Sequence, residues 1–187
     1  MMNIKSKKRE LRRLMAERRA NADPALLAEE SARVVQEIED SEFFKSAGCV
    51  MAYWPMKGEV DLRALMLKYQ SHKRFVLPVV AGDVLELRLF EGEERLVTGS
   101  RYGILEPDGA TFRDYAKVDL VLVPGVAFDR EGYRLGHGKA YYDRLLPRLI
   151  HARKVGVGFG FQLVESVPVE AHDELLDAIV VPGKRVL

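Results

Sequence analysis

Residues 134–144 read Arg-Leu-Gly-His-Gly-Lys-Ala-Tyr-Tyr-Asp-Arg, placing two glycines, three cationic side chains and one carboxylate in a single strand-to-helix turn. Such a turn suits a polyphosphate. With no Cβ at Gly136 or Gly138, backbone N–H groups can approach an anion closely, and a helix starting near Tyr141 aims its positive dipole end at the same place. Arg134 and Lys139 add full charges, and Asp143 is a candidate metal ligand. A Gly-rich turn that only caps a helix has the same composition, so the rest of the chain must decide.

Two familiar glycine motifs fail here. A P-loop requires Gly, four residues, then Gly-Lys-Ser/Thr. Gly138-Lys139 is instead followed by Ala140, and Tyr133 stands where the first glycine belongs. A dinucleotide fingerprint needs glycine or alanine where this chain has Tyr141, and no acidic residue about 20 positions later closes a next strand. The loop is a phosphate-binding candidate of another kind.

The whole chain has 187 residues, 48% hydrophobic and 30% charged, which predicts one domain spanning residues 1–187 with a substantial core. Its apolar runs are short: residues 118–126 include Asp119, Pro124 and Gly125, so no membrane span or membrane partner is expected. The Lys/Arg-rich start has no apolar segment typical of a secretory leader. Cys49 is the only cysteine, which excludes an internal disulfide and fits a cytoplasmic location. It reads as a small buried hydrophobe on a strand, while His72 and His151 read as surface residues. Net charge is +1, yet the first twenty residues carry eight Lys/Arg against Glu10 and Glu17. A basic run of this kind serves nucleic acid, a membrane surface, an anionic small-molecule site or plain solvation. No aromatics are interleaved with these cations and the other 167 residues are net acidic, which argues against nucleic acid.

The elements that must position these groups follow from periodicity. Ile4, Leu11, Leu14 and Met15 form a thin apolar stripe on a helix over 4–20; Asp23-Pro24 caps a second helix carrying Leu27, Val34, Val35 and Ile38. Strands are expected at 49–54, 75–80, 118–123, 154–159 and 178–181, with helices around 62–69 and 141–149. Leu85, Leu87 and Leu89 alternate as a hairpin partner of the second strand. The nearly continuous apolar run 118–123 belongs to a strand buried on both faces. The fold class is therefore α/β: an open, mostly parallel sheet flanked by helices in a Rossmann-like three-layer arrangement, with one antiparallel hairpin excursion. Ligands of such sheets sit beyond the carboxyl ends of the strands, where the loops after Trp54, Val123 and Phe159 should converge.

Several separated pieces then fit one pattern: Lys8-Arg9-Glu10-Leu11-Arg12; Glu59; Gly103-Ile104-Leu105-Glu106-Pro107; Pro124-Gly125-Val126-Ala127-Phe128-Asp129; residues 132–144; Val167-Pro168; His172-Asp173; and Leu176-Asp177. Their order and spacing resemble the 5-formyltetrahydrofolate cyclo-ligases, also called methenyltetrahydrofolate synthetases, over nearly the whole chain. The resemblance implies an ATP- and Mg2+-dependent reaction. The formyl oxygen of 5-formyltetrahydrofolate is phosphorylated, and N10 closes the ring to give 5,10-methenyltetrahydrofolate, ADP and phosphate.

By the same resemblance, ATP is bound by Lys8, Arg9, Glu10, Leu11 and Arg12 together with Arg134, Leu135, Gly136, His137, Gly138, Lys139, Ala140, Tyr141 and Tyr142. Lys8 and Arg12 are one helical turn apart and share a face, so both can clamp phosphates. Phosphoryl transfer asks the protein for positioning and positive charge more than for a nucleophile. Lys139 and Arg144 take the catalytic roles. Asp143 and Asp173 match the magnesium positions, and hard carboxylate oxygens suit that ion. The reduced folate falls to Trp54, Glu59, His137, Gly138, Lys139, Ala140 and Tyr141. Glu59 would accept the pterin N–H donors, whereas Trp54 reads equally as a stacking platform or a core-edge residue. Tyr142 and Phe128 read as packing residues, and His172 as a cap for the loop carrying Asp173. Ala140 departs from the family's usual glycine and is expected to require negative φ. The partners are small molecules, with the chain a monomer or weak dimer. Competing readings are a non-catalytic nucleotide- or folate-binding module of this fold, sugar-phosphate isomerisation, and acyl-CoA transfer.

Overall fold

Successive residues of the buried strands feed two different cores, and that alternation fixes the layers. Val50, Leu120, Leu122, Ala178 and Val180 join one cluster, while Cys49, Met51, Val121, Val123, Ile179 and Val181 join the other. A computed structural model describes residues 3–99, 103–171 and 173–186, with Arg185 by backbone alone. The capping role expected for His172 lies outside the described residues.

In chain order the elements are α1 (Ile4–Ala20), α2 (Pro24–Asp40), α3 (Glu42–Ser46), β1 (Cys49–Met51), α4 (Arg63–Tyr69), β2 (Arg74–Ala81), β3 (Val84–Leu89), β4 (Leu96–Thr98), β5 (Leu105–Pro107), β6 (Thr111–Phe112), β7 (Leu120–Pro124), β8 (Ala127–Phe128), β9 (Arg134–Leu135), α5 (Tyr141–Leu145), β10 (Arg153–Val157), β11 (Ala178–Val181) and β12 (Lys184–Val186). Among the described residues the main sheet has the order β12-β11-β10-β7-β1-β2-β3-β6. Strands β11, β10, β7, β1 and β2 run parallel; β12 and β3 run against them, and β6, pairing antiparallel with β3, returns to their direction. The β4–β5 and β8–β9 hairpins stand apart from it. This is the expected α/β architecture with a mostly parallel sheet.

One face is covered by α2, α3 and α4 through Val34, Ile38, Phe43, Phe44, Leu65 and Met66. The other is covered by α5 and the turn after it through Leu145, Leu146 and Leu149. The first helix belongs to neither layer. Its Met15, fully buried, packs with Val126, Ala127, Leu135 and Val167, so α1 lies across the β8–β9 hairpin, beyond the carboxyl ends of β7 and β10. Burial of that one side chain is worth about 1.5–3 kcal/mol. Capping sets where the first two helices begin: Asn3 Oδ1 accepts the Ser6 N–H at 2.8 Å, and Asp23 Oδ1 accepts the Ala25 N–H at 2.9 Å ahead of Pro24.

Two expectations are corrected, and one strand is added to those expected. The helix predicted over 141–149 ends as α-helix at Leu145, with a 3-10 turn over Leu146–Arg148. Pro147 has no N–H for the Asp143 carbonyl, so the α ladder cannot continue. The strand predicted to reach 54 stops at Met51, where the chain leaves the sheet towards Pro55. The C-terminal residues turn at Gly183 (φ 73°) and add β12, whose Val186 pairs with Ile179 along the edge of β11. Among the described residues no helix is long and apolar enough to cross a membrane.

Candidate active site

Four side chains of α1 share one face: Lys8, Arg12, Met15 and Arg19. Met15 anchors that face, and the three cations each reach a different loop. Lys8, 7% exposed, donates to Glu170 Oε2 at 2.9 Å and to Asp173 Oδ2 at 2.6 Å. Burial alone would lower the Lys8 pKa, but hydrogen bonds and charge from Asp173 and Glu170 outweigh it and hold the ammonium above its ordinary value. Arg12 Nε donates to the Gly136 carbonyl at 2.8 Å. Arg19 lies against Gly58, whose φ of 83° and missing Cβ leave room for the guanidinium stem.

Of residues 8–12, then, Lys8 faces the loop carrying Glu170 and Asp173, and Arg12 faces the glycine loop. Arg9 and Glu10 are exposed, Glu10 pairing with Arg13 at 2.7 Å, because residues one and two positions further round a helix point elsewhere. Leu11 packs into the small core beneath α1.

The glycine loop is built around Arg134. Its guanidinium, in a side chain 5% exposed, donates through Nη2 to Asp143 Oδ1 at 2.7 Å and lies over the Tyr142 ring, 5.4 Å from its centroid. Gly136 is required by that packing: a Cβ there would stand 2.7 Å from Arg134 Nη1. Gly138 takes φ 98°, leaving its outer side to the Arg12 guanidinium. Beneath the loop, Asp129 is 2% exposed and accepts from the Glu131, Tyr133 and Val167 N–H groups at 3.1, 3.0 and 2.9 Å, which fixes the hairpin. Ala140 is left-handed (φ 52°, ψ 24°), which overturns the expectation of negative φ: the turn into α5 needs the conformation a glycine would supply, and the methyl group is tolerated there. Lys139 is exposed. Arg144 Nη2 donates to the carbonyls of Asp83 and Lys139 at 2.5 and 3.0 Å, and its guanidinium stacks on Tyr141, a bracing position for the loop.

On the other wall, the loop after β1 presents Glu59. Its side chain is 6% exposed; Oε2 accepts the Met56 N–H at 2.9 Å, and Oε1 stands 3.9 Å from His137 Nε2. Burial pushes the Glu59 carboxyl above its ordinary pKa, against the Met56 hydrogen bond and the charge of Arg19. His137 is pushed down by burial and by Arg19, Arg134 and Arg12, so its ring is held neutral near pH 7. Burial and the Glu59 carboxylate raise the Tyr142 hydroxyl well above the ordinary phenol value. Trp54 is half-buried with its ring 5.9 Å from Phe90, at the edge of the core.

The structure thus brings Lys8, Arg12, Glu59, residues 134–143 and Asp173 to one end of the sheet. Sequence reasoning passed over Glu170 and Arg19. Two acidic residues three apart, facing a basic helix, were a signal for the first; the shared face at 8, 12, 15 and 19 was a signal for the second.

The description of the family model that matches residues 4–182 is "5-formyltetrahydrofolate cyclo-ligase family". Similar proteins include a probable 5-formyltetrahydrofolate cyclo-ligase of Schizosaccharomyces pombe, 30% identical over 95% of this chain and 96% of the relative. Another is the 5-formyltetrahydrofolate cyclo-ligase of Escherichia coli K12, 35% identical over 74% of this chain and 80% of the relative. Among solved structures, the NMR structure of Aquifex aeolicus 5,10-methenyltetrahydrofolate synthetase has a TM-score of 0.85 at 38% identity, over 95% of this chain and 91% of that one. The Mycoplasma pneumoniae 5,10-methenyltetrahydrofolate synthetase shares the fold, with a TM-score of 0.75 at 24% identity over 92% of this chain and 97% of that one.

Proposed function

This chain belongs to the 5-formyltetrahydrofolate cyclo-ligase family, and on that premise we propose that it uses ATP to convert 5-formyltetrahydrofolate into 5,10-methenyltetrahydrofolate, releasing ADP and phosphate. The formyl oxygen attacks the γ-phosphorus and the bond to the β-phosphate oxygen breaks. N10 then attacks the activated formyl carbon and loses its proton, and the carbon–oxygen bond breaks to release phosphate. Nothing in this sequence requires a protein nucleophile. It requires cations around the transferred phosphoryl group and two substrates held in register.

The observation that carries the site assignment is the contact of Arg12 Nε with the Gly136 carbonyl at 2.8 Å, which sets a cation of α1 against the glycine loop. Lys8, Arg12 and residues 134–142 bind the triphosphate in this reading, with exposed Lys139 at the transferred group and Arg144 holding the loop in shape. Lys8 and Arg134 already have carboxylate partners, so phosphate oxygens exchange with or extend existing ion pairs. Glu59 accepts the pterin N–H donors; His137, Gly138, Ala140 and Tyr141 border the same space, with Trp54 at its rim.

The acidic residues also suit magnesium. Asp143 spends one oxygen on Arg134 and, among the described residues, makes no hydrogen bond through the other; Asp173 adds a second carboxylate on the α1 side. Two carboxylates with phosphate and water oxygens form a hard donor set for that ion, so Asp143 and Asp173 would hold it. When bound it neutralises charge on the β- and γ-phosphates. The working unit is taken as a monomer or weak dimer, and its one buried cysteine fits the cytoplasm.

The test is direct. Purified protein given 5-formyltetrahydrofolate and MgATP should develop the near-ultraviolet absorbance of the methenyl product, with no rise without ATP or in Asp143→Ala. Folded protein that gives no product overturns the assignment.

A further inference from the structure

Arg19 has no assigned role, yet its setting is unusual for a cation at a helix end. Its stem is packed on the bare backbone of Gly58: Cδ lies 2.4 Å, and Nε 3.0 Å, from where a Cβ on that glycine would stand. Nε is buried and, among the described residues, has no hydrogen-bond partner. A buried N–H is normally satisfied, and one left without a partner points to an acceptor that arrives with a ligand. The adjoining residue, Glu59, is the buried carboxylate of the folate wall, and the charge of Arg19 acts on both Glu59 and His137. Arg19 nevertheless makes no ion pair with Glu59; Met56 N–H and His137 are the neighbours of the two carboxylate oxygens.

A strong acceptor and an unspent donor therefore stand side by side. The edge of a 2-amino-4-oxopteridine offers the complement: two adjacent N–H donors, on the exocyclic amine and N3, followed by the carbonyl oxygen at C4. We propose that Arg19 is a specificity-determining residue of the folate site, donating to the C4 oxygen while Glu59 takes the two N–H donors. This rests on the reading of Glu59 given above. A 4-amino pteridine puts a donor where Arg19 also donates, so it meets an unfavourable donor–donor pair instead of a hydrogen bond, and its unprotonated N3 also takes one N–H away from Glu59. Sites built to hydrogen-bond one group reject analogues lacking it far more strongly than apolar pockets reject shape changes.

The experiment compares 5-formyltetrahydrofolate with its 4-amino-4-deoxy analogue as competing ligands. In the unaltered protein the analogue should bind at least about tenfold more weakly. Arg19→Met should raise the folate KM about tenfold or more and leave the ATP KM within about twofold. It should also shrink the 4-oxo over 4-amino preference by about threefold or more relative to the unaltered protein, the remainder belonging to the N3–H that Glu59 accepts, and Arg19→Lys should recover part of it. The preference is the decisive readout, since a merely structural role for Arg19 would change both ligands together. An Arg19→Met protein that keeps the original preference overturns the inference, as does one in which both KM values and the melting temperature deteriorate in step. Glu59→Gln separates the layers. If it weakens folate while Arg19→Met leaves the preference intact, the role of Arg19 fails alone; if it leaves the folate KM unchanged, the Glu59 reading and this inference fall together.

Discussion

Replacing Ala140 by glycine should stabilise the protein, although it removes a side chain. Ala140 is the single non-glycine residue with positive φ among the described residues. In the left-handed region its Cβ crowds the following carbonyl, at a cost of about 1–2 kcal/mol that glycine does not incur. Glycine returns about 0.4–1 kcal/mol of that through its greater freedom in the unfolded chain. The difference leaves Ala140→Gly about 0.5–1 kcal/mol more stable, a rise of roughly 1–4 °C in melting temperature for a chain of this size. Gly82 provides the mirror measurement. Its φ is 62° and a Cβ there would meet nothing within 4 Å, so Gly82→Ala carries the same conformational strain with no collision. It should lose what Ala140→Gly gains. Scanning calorimetry at one protein concentration compares the two, and steady-state kinetics should find kcat of Ala140→Gly within about threefold of the parent, since no charged group changes. A lower melting temperature for Ala140→Gly, or a higher one for Gly82→Ala, would refute the account of the loop as a strained turn.

Three further outcomes are expected. Gly136→Ala sets a methyl group 2.7 Å from Arg134 Nη1 and must displace the guanidinium from Asp143, so kcat/KM for ATP should drop about 10- to 100-fold; a loss below threefold would remove Arg134 from the site. Glu59 is held above its ordinary carboxyl value by burial, so the acid limb of kcat/KM for folate should lie above the normal glutamate range. The same shift has a stability sign: the folded chain releases this proton less readily than the unfolded chain, so ionised Glu59 weakens the fold at neutral pH. Glu59→Gln should therefore melt higher than the parent at pH 7, with the gain vanishing as pH falls below the unfolded glutamate value, while folate binding is lost at every pH.

Helix α1 was legible to the residue because it carries its own stripe and its own cap, and α2 because Asp23-Pro24 marks its start. The parallel strands were legible because burial on both faces writes a continuous apolar run, as at Leu120–Pro124. Elements defined by partners far away in sequence were not. Strand β12 exists because β11 has an edge to cover, and the two-residue strands of the β8–β9 hairpin depend on Asp129, whose three N–H partners no local pattern announces. The end of α5 was missed although Pro147 was in plain view, because periodicity was weighed above the lost N–H. In the site, charged residue types pointed to phosphate chemistry. Which of those charges are already neutralised did not show: Lys8 meets Glu170 and Asp173 only through the fold.

Helix α1 is also an element that can be seated only late. The hydrogen bonds that seat it span 124 residues to Gly136, 162 to Glu170 and 165 to Asp173. During synthesis this helix emerges well before the loops that seat it, so a nascent chain can stack most of its sheet while that end of the sheet is still open. Closing a connection of that length costs roughly 4–5 kcal/mol of chain entropy, recovered only when both ends are present. The seating of α1 thereby becomes a test of completeness: a chain stopped before the loop that carries Asp173 retains α1, the glycine loop and Glu59, yet lacks the carboxylates on which Lys8 is seated.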